Sequence, residues 1–560
     1  MSDTRQDREN APTPAESTAA RLLRAFLLAV GLIAALAHVL GTLQPVFADE
    51  FLVLGNFRDY LQNRTIVPGH TNYPAFFSYM VAPVNALFFG VSIALGLPPS
   101  AHDFSEWMML RPELAMWPAR LVSTICWSVC AWAVYRLALE ALGARRVAVI
   151  AAAAFASAFG LLEYSGYGLP DVAMMMWTTL SLVYALVILR SERPVRDAAV
   201  AGALAGLAMA TKYSAIASAP ALLAAILLAR VKTRGVRARM LGALAGAAVA
   251  AFIVACPGWI LAPGSYWSGL AFERAHMAKG HLGFFGTPVL GQLELLSEVD
   301  PVLLIAGLGG AAMWALRGSQ RRGLLLLAIA AAGVFAMAAP AKKQSLQYIF
   351  TLYPLLAVFT AGGLAAMASR YRRPATALLV AALVLTASWG LLRGYRVALL
   401  PDSLMLGRQW INARVPSDAT IAVDWMDVPR LISEDELATL RGDLRTTMVR
   451  NAYEGLRGFE TVEMAPGEPF WRTREFLRST PAEWLVTSST CYDRFFEFGR
   501  FTRLPPPEDS QLRGEFLLKR DFYQALRDGY AGWRLEHEVF TGNGPTVQIY
   551  RRAEAAAPLP

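Results

Sequence analysis

The chain has 560 residues, 55% of them hydrophobic and 17% charged, with a net charge of +9 and a mean hydropathy of +0.38. Soluble domains carry about 25% charged residues, so the shortfall, together with repeated apolar runs of membrane-crossing length, excludes an ordinary soluble enzyme. The basic residues cluster as "GARR" (143–146), "RSERPVR" (190–196), "RVKTRGVRAR" (230–239), "RGSQRR" (317–322) and "RYRR" (370–373), each between apolar runs. That is the positive-inside pattern, so the charge reports orientation and implies no nucleic-acid partner.

In chain order, residues 1–24 are polar and read as a cytoplasmic disordered tail. The apolar run that follows is too long for a signal-peptide core and lacks an obvious cleavage site, so it is expected to be a retained first span. Candidate spans are roughly 25–44, 119–141, 147–162, 172–189, 198–211, 214–230, 240–261, 302–316, 323–340, 348–369 and 375–393, near the length that crosses ~30 Å of hydrocarbon. The stretch 75–97 is also apolar, but if it crossed, every later basic loop would change sides relative to "RLLR" at 21–24. It is therefore expected to be juxtamembrane or re-entrant on the outer face. The result is a polytopic α-helical protein of about 11 spans, with its N-terminus cytoplasmic. Residues 25–398 would form the membrane domain, with an outer loop at 45–118.

Residues 399–560 change character, becoming charged and aromatic-rich. "SLMLGRQWINARV" (403–415) reads as an amphipathic helix, and "TIAVDW" (420–425), "EWLVTSS" (483–489) and "TVQIYRR" (546–552) read as strands. An extracytoplasmic α/β domain is expected. "SEDE" (433–436) fits an N-terminal capping box, Ser433 with Glu436, better than a metal site.

The residues able to do chemistry fall in the outer loops. Asp49 and Glu50 are adjacent and point in different directions, so one can act as a general base while the other holds a loop; the alternative is that both mark the membrane boundary. "HTNYPAFFSYM" (70–80) suits an interfacial helix turning at Pro74, beside Tyr73. "EYSGYGLPD" (163–171) brings Glu163 and Asp171 to one outer turn, where Asp171 also suits a helix start. Lys212, between two apolar runs, implies either snorkelling or an anionic ligand. Lys342 and Lys343 reach the outer face against the charge trend, fit to hold a lipid phosphate or to sit solvated at the rim. His276 and His281, five apart, share no helical face and make a poor metal pair; His38 reads as a packing residue inside the first span.

Cys126, Cys130, Cys256 and Cys491 form no metal or disulfide framework. The chain has no GxxxxGK[ST], no GxGxxG after a strand, no DxD and no G-x-S-x-G. Any activated group used on the outer face would then arrive attached to a lipid.

Taken in order, these features resemble the GT-C membrane glycosyltransferases, specifically the protein O-mannosyltransferase and aminoarabinose transferase branch. The resemblance runs along most of the chain: the acid pair at 49–50, the aromatic–proline segment at 70–80, "ARLVS" at 119–123, "PD" at 170–171, "GLAMATKYSA" at 206–215, "QYIFTLYPLLAVFTAGGL" at 347–364, and the terminal α/β domain. It implies a polyprenyl-phosphate sugar donor and an inverting transfer to a lipid, glycan or protein acceptor, in a bacterial-type inner membrane. By resemblance Asp49 is the general base with Glu50 beside it, and Glu163, Asp171 and Tyr73 organise the acceptor side or the loops. Two departures stand out: Gln347 precedes Tyr348 where the family often has Arg, and Asn72–Tyr73–Pro74 lacks the Lys that precedes the juxtamembrane proline pair in the aminoarabinose branch. The phosphate clamp would be rebuilt from Lys342 or Lys343 with Lys212 or Arg120, next to Tyr348. No cofactor is required by this pattern, which leaves room for a divalent metal without naming ligands for one. A catalytically inactive lipid-binding scaffold and a transporter of polyprenyl-linked substrates are the competing readings.

Overall fold

In the computed structural model the described residues are 50–95, 116–231, 233–280, 289–317, 320–368, 381, 385, 388–390, 392, 400–424, 428–429, 431–432, 457–463, 473–496, 508, 511–542 and 544–553. Asp49, the span 25–44, most of 375–393, His281 and the "SEDE" segment lie outside them. Helices occupy the other nine expected spans. Among the described residues five helices are long and apolar enough to cross a membrane, or up to seven if each bent pair is one span. Of the roughly eleven expected spans, two fall wholly or mostly outside the described residues, and some of the nine within them are bent or broken.

The reason is local. The region 147–162 is two helices, Arg145–Ala156 and Phe159–Ser165, bent by 60°, and Leu290–Val299 meets the helix beginning at Pro301 at 117°. The expected span 214–230 opens as a 3-10 turn, Tyr213–Ser218, before Ala219–Leu228. Both bends meet at one carboxylate. Asp300, 3% exposed, accepts the backbone N–H groups of Phe159 (2.8 Å) and Gly160 (2.9 Å) and the hydroxyl of Tyr353 (2.8 Å). A negative group at the first N–H groups of a helix satisfies donors that have no intrahelical partner. Gly160 permits the approach, because a Cβ there would stand 2.4 Å from the Tyr353 hydroxyl.

Of the two expected forms of the segment 75–97, juxtamembrane or re-entrant, Phe76–Ala94 removes the re-entrant one. It is one 19-residue helix with Pro83 inside it, and it does not double back. By length and composition it could cross the membrane, and it packs on Trp117–Leu142.

Close helix packing comes from small residues, as lipid-exposed bundles require. A Cβ on Gly202 would sit 2.1 Å from the Leu244 carbonyl, and one on Gly206 would sit 2.2 Å from that of Ala248. The helices Pro194–Thr211 and Arg234–Ala255 thus meet backbone to backbone.

The C-terminal region holds a five-stranded sheet in the order β2-β1-β3-β5-β4. The strands are β1 Thr420–Val423, β2 Glu460–Glu463, β3 Trp484–Ser488, β4 Trp533–Val539 and β5 Val547–Arg552. β1 pairs in parallel with β2 and β3, whereas β5 is antiparallel to both β3 and β4. β3 is buried along its whole length, as a central strand covered on both faces should be. Leu485 packs with Phe476, Phe522 and Tyr523 on one face, and Trp484 and Val486 pack with Ile411 on the other. The three strands expected from sequence are β1, β3 and β5. β2 and β4, both at the sheet's edges, were not foreseen. Asp424, just past β1, accepts hydroxyl donors from Thr487 (2.7 Å) and Tyr523 (2.6 Å), tying the sheet to the helix Gln511–Arg527.

Candidate active site

The site is built around the connection between the helices Glu50–Asn63 and Phe76–Ala94. The Gly69 N–H donates to Asp59 Oδ2 (2.9 Å), the His70 N–H to Asn56 Oδ1 (3.4 Å), and the Tyr79 hydroxyl to the Ile66 carbonyl (2.6 Å). These bonds hold the segment that presents Asn72, Tyr73 and Pro74. The Thr71 hydroxyl donates to the Ser265 carbonyl (2.9 Å), docking the helix Pro263–Lys279 on the same segment. A Cβ on Gly269 would come within 2.3 Å of the Thr71 carbonyl oxygen, so only glycine fits that contact.

Glu50 and Arg120 are both completely buried. Arg120 donates from Nε to Oε1 (2.9 Å) and from Nη2 to Oε2 (2.7 Å), the bidentate fork that guanidinium and carboxylate geometry favours. The Gly168 N–H adds a third bond to Oε1 at 2.5 Å, fixing the turn that leads to Pro170. Arg120 also lies 5.8 Å from the centroid of the Tyr167 ring. Of the acid pair, Glu50 is thus the loop-holding member, and Arg120 is bound to it with no exposed surface.

Lys212 is placed differently. It ends the helix Pro194–Thr211 in an extended conformation, with Nζ 2.6 Å from Asp171 Oδ1. Asp171 sits in the first turn of the helix Pro170–Ile188, so the dipole expectation and the ion pair act on the same carboxylate. The sequence presented Lys212 as a lysine without a protein counterion; the fold supplies one. Lys212 Nζ also lies 4.9 Å from the Tyr73 ring centroid and 5.6 Å from that of Tyr348. Lys343 Nζ approaches the same Tyr348 ring at 5.9 Å and donates to His276 Nε2 at 2.9 Å. His276 stacks on Phe272, 5.6 Å between centroids.

Five of the expected site residues therefore converge: Tyr73, Asp171, Lys212, Lys343 and Tyr348. Two of them, Tyr73 and Asp171, line an open cleft whose wall also includes Asn56, His70, Ser78 and Gln347. Glu163 sits half-buried on the helix Phe159–Ser165 and is not among the cleft residues. Lys342 is exposed, and its backbone N–H donates to the Met277 carbonyl (3.1 Å). Among the described residues no group of three His, Cys, Asp or Glu side chains gathers as a metal site. His276, Asn56 and Asp300 were not foreseen in these positions. Their partners lie 67, 22 and up to 141 residues away in sequence, with no local motif to mark them.

Residues 107–260, under half of the chain, match the family model described as dolichyl-phosphate-mannose-protein mannosyltransferase. No curated protein matches the chain. Among solved structures, ArnT from Cupriavidus metallidurans bound to undecaprenyl phosphate is similar at 14% identity with a TM-score of 0.52, covering 96% of this chain and 99% of that one. The apo state of the same protein gives a TM-score of 0.51 at 14% identity, covering 95% and 98%. The Archaeoglobus fulgidus oligosaccharyltransferase in its acceptor-tethered form matches at a TM-score of 0.49 and 14% identity, covering 92% of this chain and 79% of that one. The likeness to ArnT shows a shared fold, and that fold is the GT-C membrane architecture.

Proposed function

We propose that this chain is a membrane glycosyltransferase that moves a sugar from a polyprenyl-phosphate donor to an acceptor on the extracytoplasmic face. The observation that carries the reading is the convergence of Lys212 and Lys343 on the ring of Tyr348 beside a cleft. Two ammonium groups at one aromatic ring, beside a cleft, suit a phosphate at headgroup depth. The family match at 107–260 supports the class, and the fold shared with a protein bound to undecaprenyl phosphate supports the donor.

In this reaction Asp49 removes the proton from an acceptor hydroxyl. The oxygen attacks the anomeric carbon from the face opposite the phosphate, inverting that centre, and the bond from the anomeric carbon to the phosphate oxygen breaks. The electron pair leaves with the lipid phosphate, which regains full negative charge. Lys212 and Lys343 stabilise that charge where it develops, which is the usual dominant electrostatic contribution. Glu50 follows Asp49 directly, so its bonds to Arg120 and Gly168 anchor the residue next to the base. The same reading has the N-terminus cytoplasmic and the C-terminal sheet outside, which puts the acceptor on the extracytoplasmic side. Sugar and acceptor identity are not specified by it.

The test is turnover of radiolabelled polyprenyl-phosphate monosaccharides by purified wild type and Asp49→Asn. Release or transfer by wild type alone is expected. Equal donor binding without turnover by either protein would favour the scaffold, and absence of binding would favour transport.

A further inference from the structure

Gln347 is the second residue of the short 3-10 turn Leu346–Ile349, is 5% exposed and lines the cleft. Among the described residues nothing hydrogen-bonds its carboxamide. Its carboxamide is not one of the buried polar groups sealed off without a partner; it opens on the cleft, so its donors and acceptor are available to a polar occupant there. Asn56, Asn72 and Ser78 on the same wall are also neutral and polar, set among His70 and apolar side chains such as Phe77 and Leu169. Asn56 donates to the Ser78 hydroxyl at 3.1 Å, and Asn72 is half-buried beside Tyr73. The one carboxylate on the wall among the described residues is Asp171, and Lys212 stands 2.6 Å from it.

From this geometry we infer that the cleft beside the phosphate position takes a neutral, hydroxyl-bearing sugar ring, and that Gln347 is the residue that reads its hydroxyls. The inference rests on the donor reading above and deepens it. A carboxamide offers two N–H donors and one carbonyl acceptor, matching hydroxyls that both donate and accept. A sugar carrying an ammonium would meet, on the described wall, only an acid already paired with Lys212. A sugar carrying a carboxylate would compete with the lipid phosphate for Lys212. An arginine at 347 would add a fixed cation; glutamine adds no charge and can pair with hydroxyl groups.

The experiment is equilibrium binding to the full-length protein in nanodiscs. Three probes are used: polyprenyl phosphate without sugar, polyprenyl-phosphate-linked neutral hexoses with their monodeoxy analogues, and the corresponding amino-sugar lipid. Wild type should prefer the neutral hexosyl lipid to the amino-sugar lipid. Gln347→Ala should weaken the hexosyl lipid about five- to ten-fold while binding the sugarless lipid as wild type does, which also shows that the variant is folded. That loss should disappear for one monodeoxy analogue, the signature of a lost hydrogen bond to that hydroxyl. Gln347→Glu should shift preference toward the amino-sugar lipid. An equal loss for sugarless lipid and hexosyl lipid would make Gln347 a phosphate contact and overturn the inference. So would unchanged hexosyl affinity, or a wild-type preference for the amino sugar. Wild type that binds no polyprenyl phosphate would bring down the donor reading and this inference together. Sugarless-lipid binding that survives while the sugar goes unread overturns this inference alone.

Discussion

Two buried ion pairs stand close to the same connection, and they do opposite jobs. Glu50–Arg120 is closed: both side chains have no exposure, the contact is bidentate, and a backbone N–H adds a third bond. Asp171–Lys212 is a single contact at 2.6 Å, with the lysine 6% exposed, two tyrosine rings near its ammonium and a cleft beside its acid. A guanidinium fits a carboxylate fork and stays there; an ammonium is a point charge that can share itself between its acid and an incoming anion. On the proposed reading the first pair is scaffold and the second is equipment. A third pair, Asp493–Arg527, lies 3.9 Å apart and half-exposed in the C-terminal region and serves as a reference.

The comparison breaks most visibly at the closed pair. Arg120→Ala leaves Glu50 charged and buried, which costs about 3–5 kcal/mol. Thermal unfolding in detergent should show a large drop or no recoverable protein, and Glu50→Gln in the same background should return part of it. A small shift would show that the pair is not structural. At the cleft, Lys212→Met should cut affinity for polyprenyl phosphate by roughly 10- to 100-fold, the scale of a hydrogen bond to a charged group. It destabilises the fold as well, because Asp171 loses its cation, so binding is compared at matched folded fraction. Lys343→Ala should cost less, about ten-fold in binding, because Lys343 is half-buried and already engaged by His276.

The smallest effect belongs to the reference pair. Burial pushes the Asp493 carboxyl above its ordinary value, with Arg527 opposing the shift. A carboxyl whose folded pKa is raised loses stability as pH climbs from its unfolded value through its folded value. Charged Asp493 then subtracts a little at neutral pH and nothing below the ordinary carboxylate range. Asp493→Asn should raise the unfolding midpoint slightly at pH 7 and leave it unchanged in acid. Arg527 keeps its place over the rings of Tyr492 (4.6 Å) and Phe496 (4.2 Å). A fall at pH 7 would mean that the ion pair outweighs burial.

Much of the site was legible residue by residue, because charge in an apolar chain is conspicuous: Lys212, Asp171 and Lys343 stand out against their surroundings. Which charge takes which partner was not legible. Arg120 was expected at the phosphate but binds Glu50, 70 residues away, and Lys212 finds Asp171 across 41. Such pairings are set by helix packing, and the glycines at 202 and 206 that permit it carry no label of their partner. The bends were hidden for a related reason. An apolar run reads as one span whether or not a distant carboxylate such as Asp300 captures backbone N–H groups in its middle. In the C-terminal region the buried strands β1, β3 and β5 were clear from their apolar residues. The edge strands "ETVE" and "WRLEHEV" mix charged with apolar residues and offered no apolar run.

The most direct measurement is turnover of a labelled polyprenyl-phosphate sugar by wild type, Lys212→Met and Asp493→Asn, at equal folded concentration. The account predicts full activity from wild type and Asp493→Asn, with a loss of roughly 10-fold or more for Lys212→Met. Wild-type turnover from Lys212→Met would contradict it, because the cleft pair would then be scaffold like its closed neighbour.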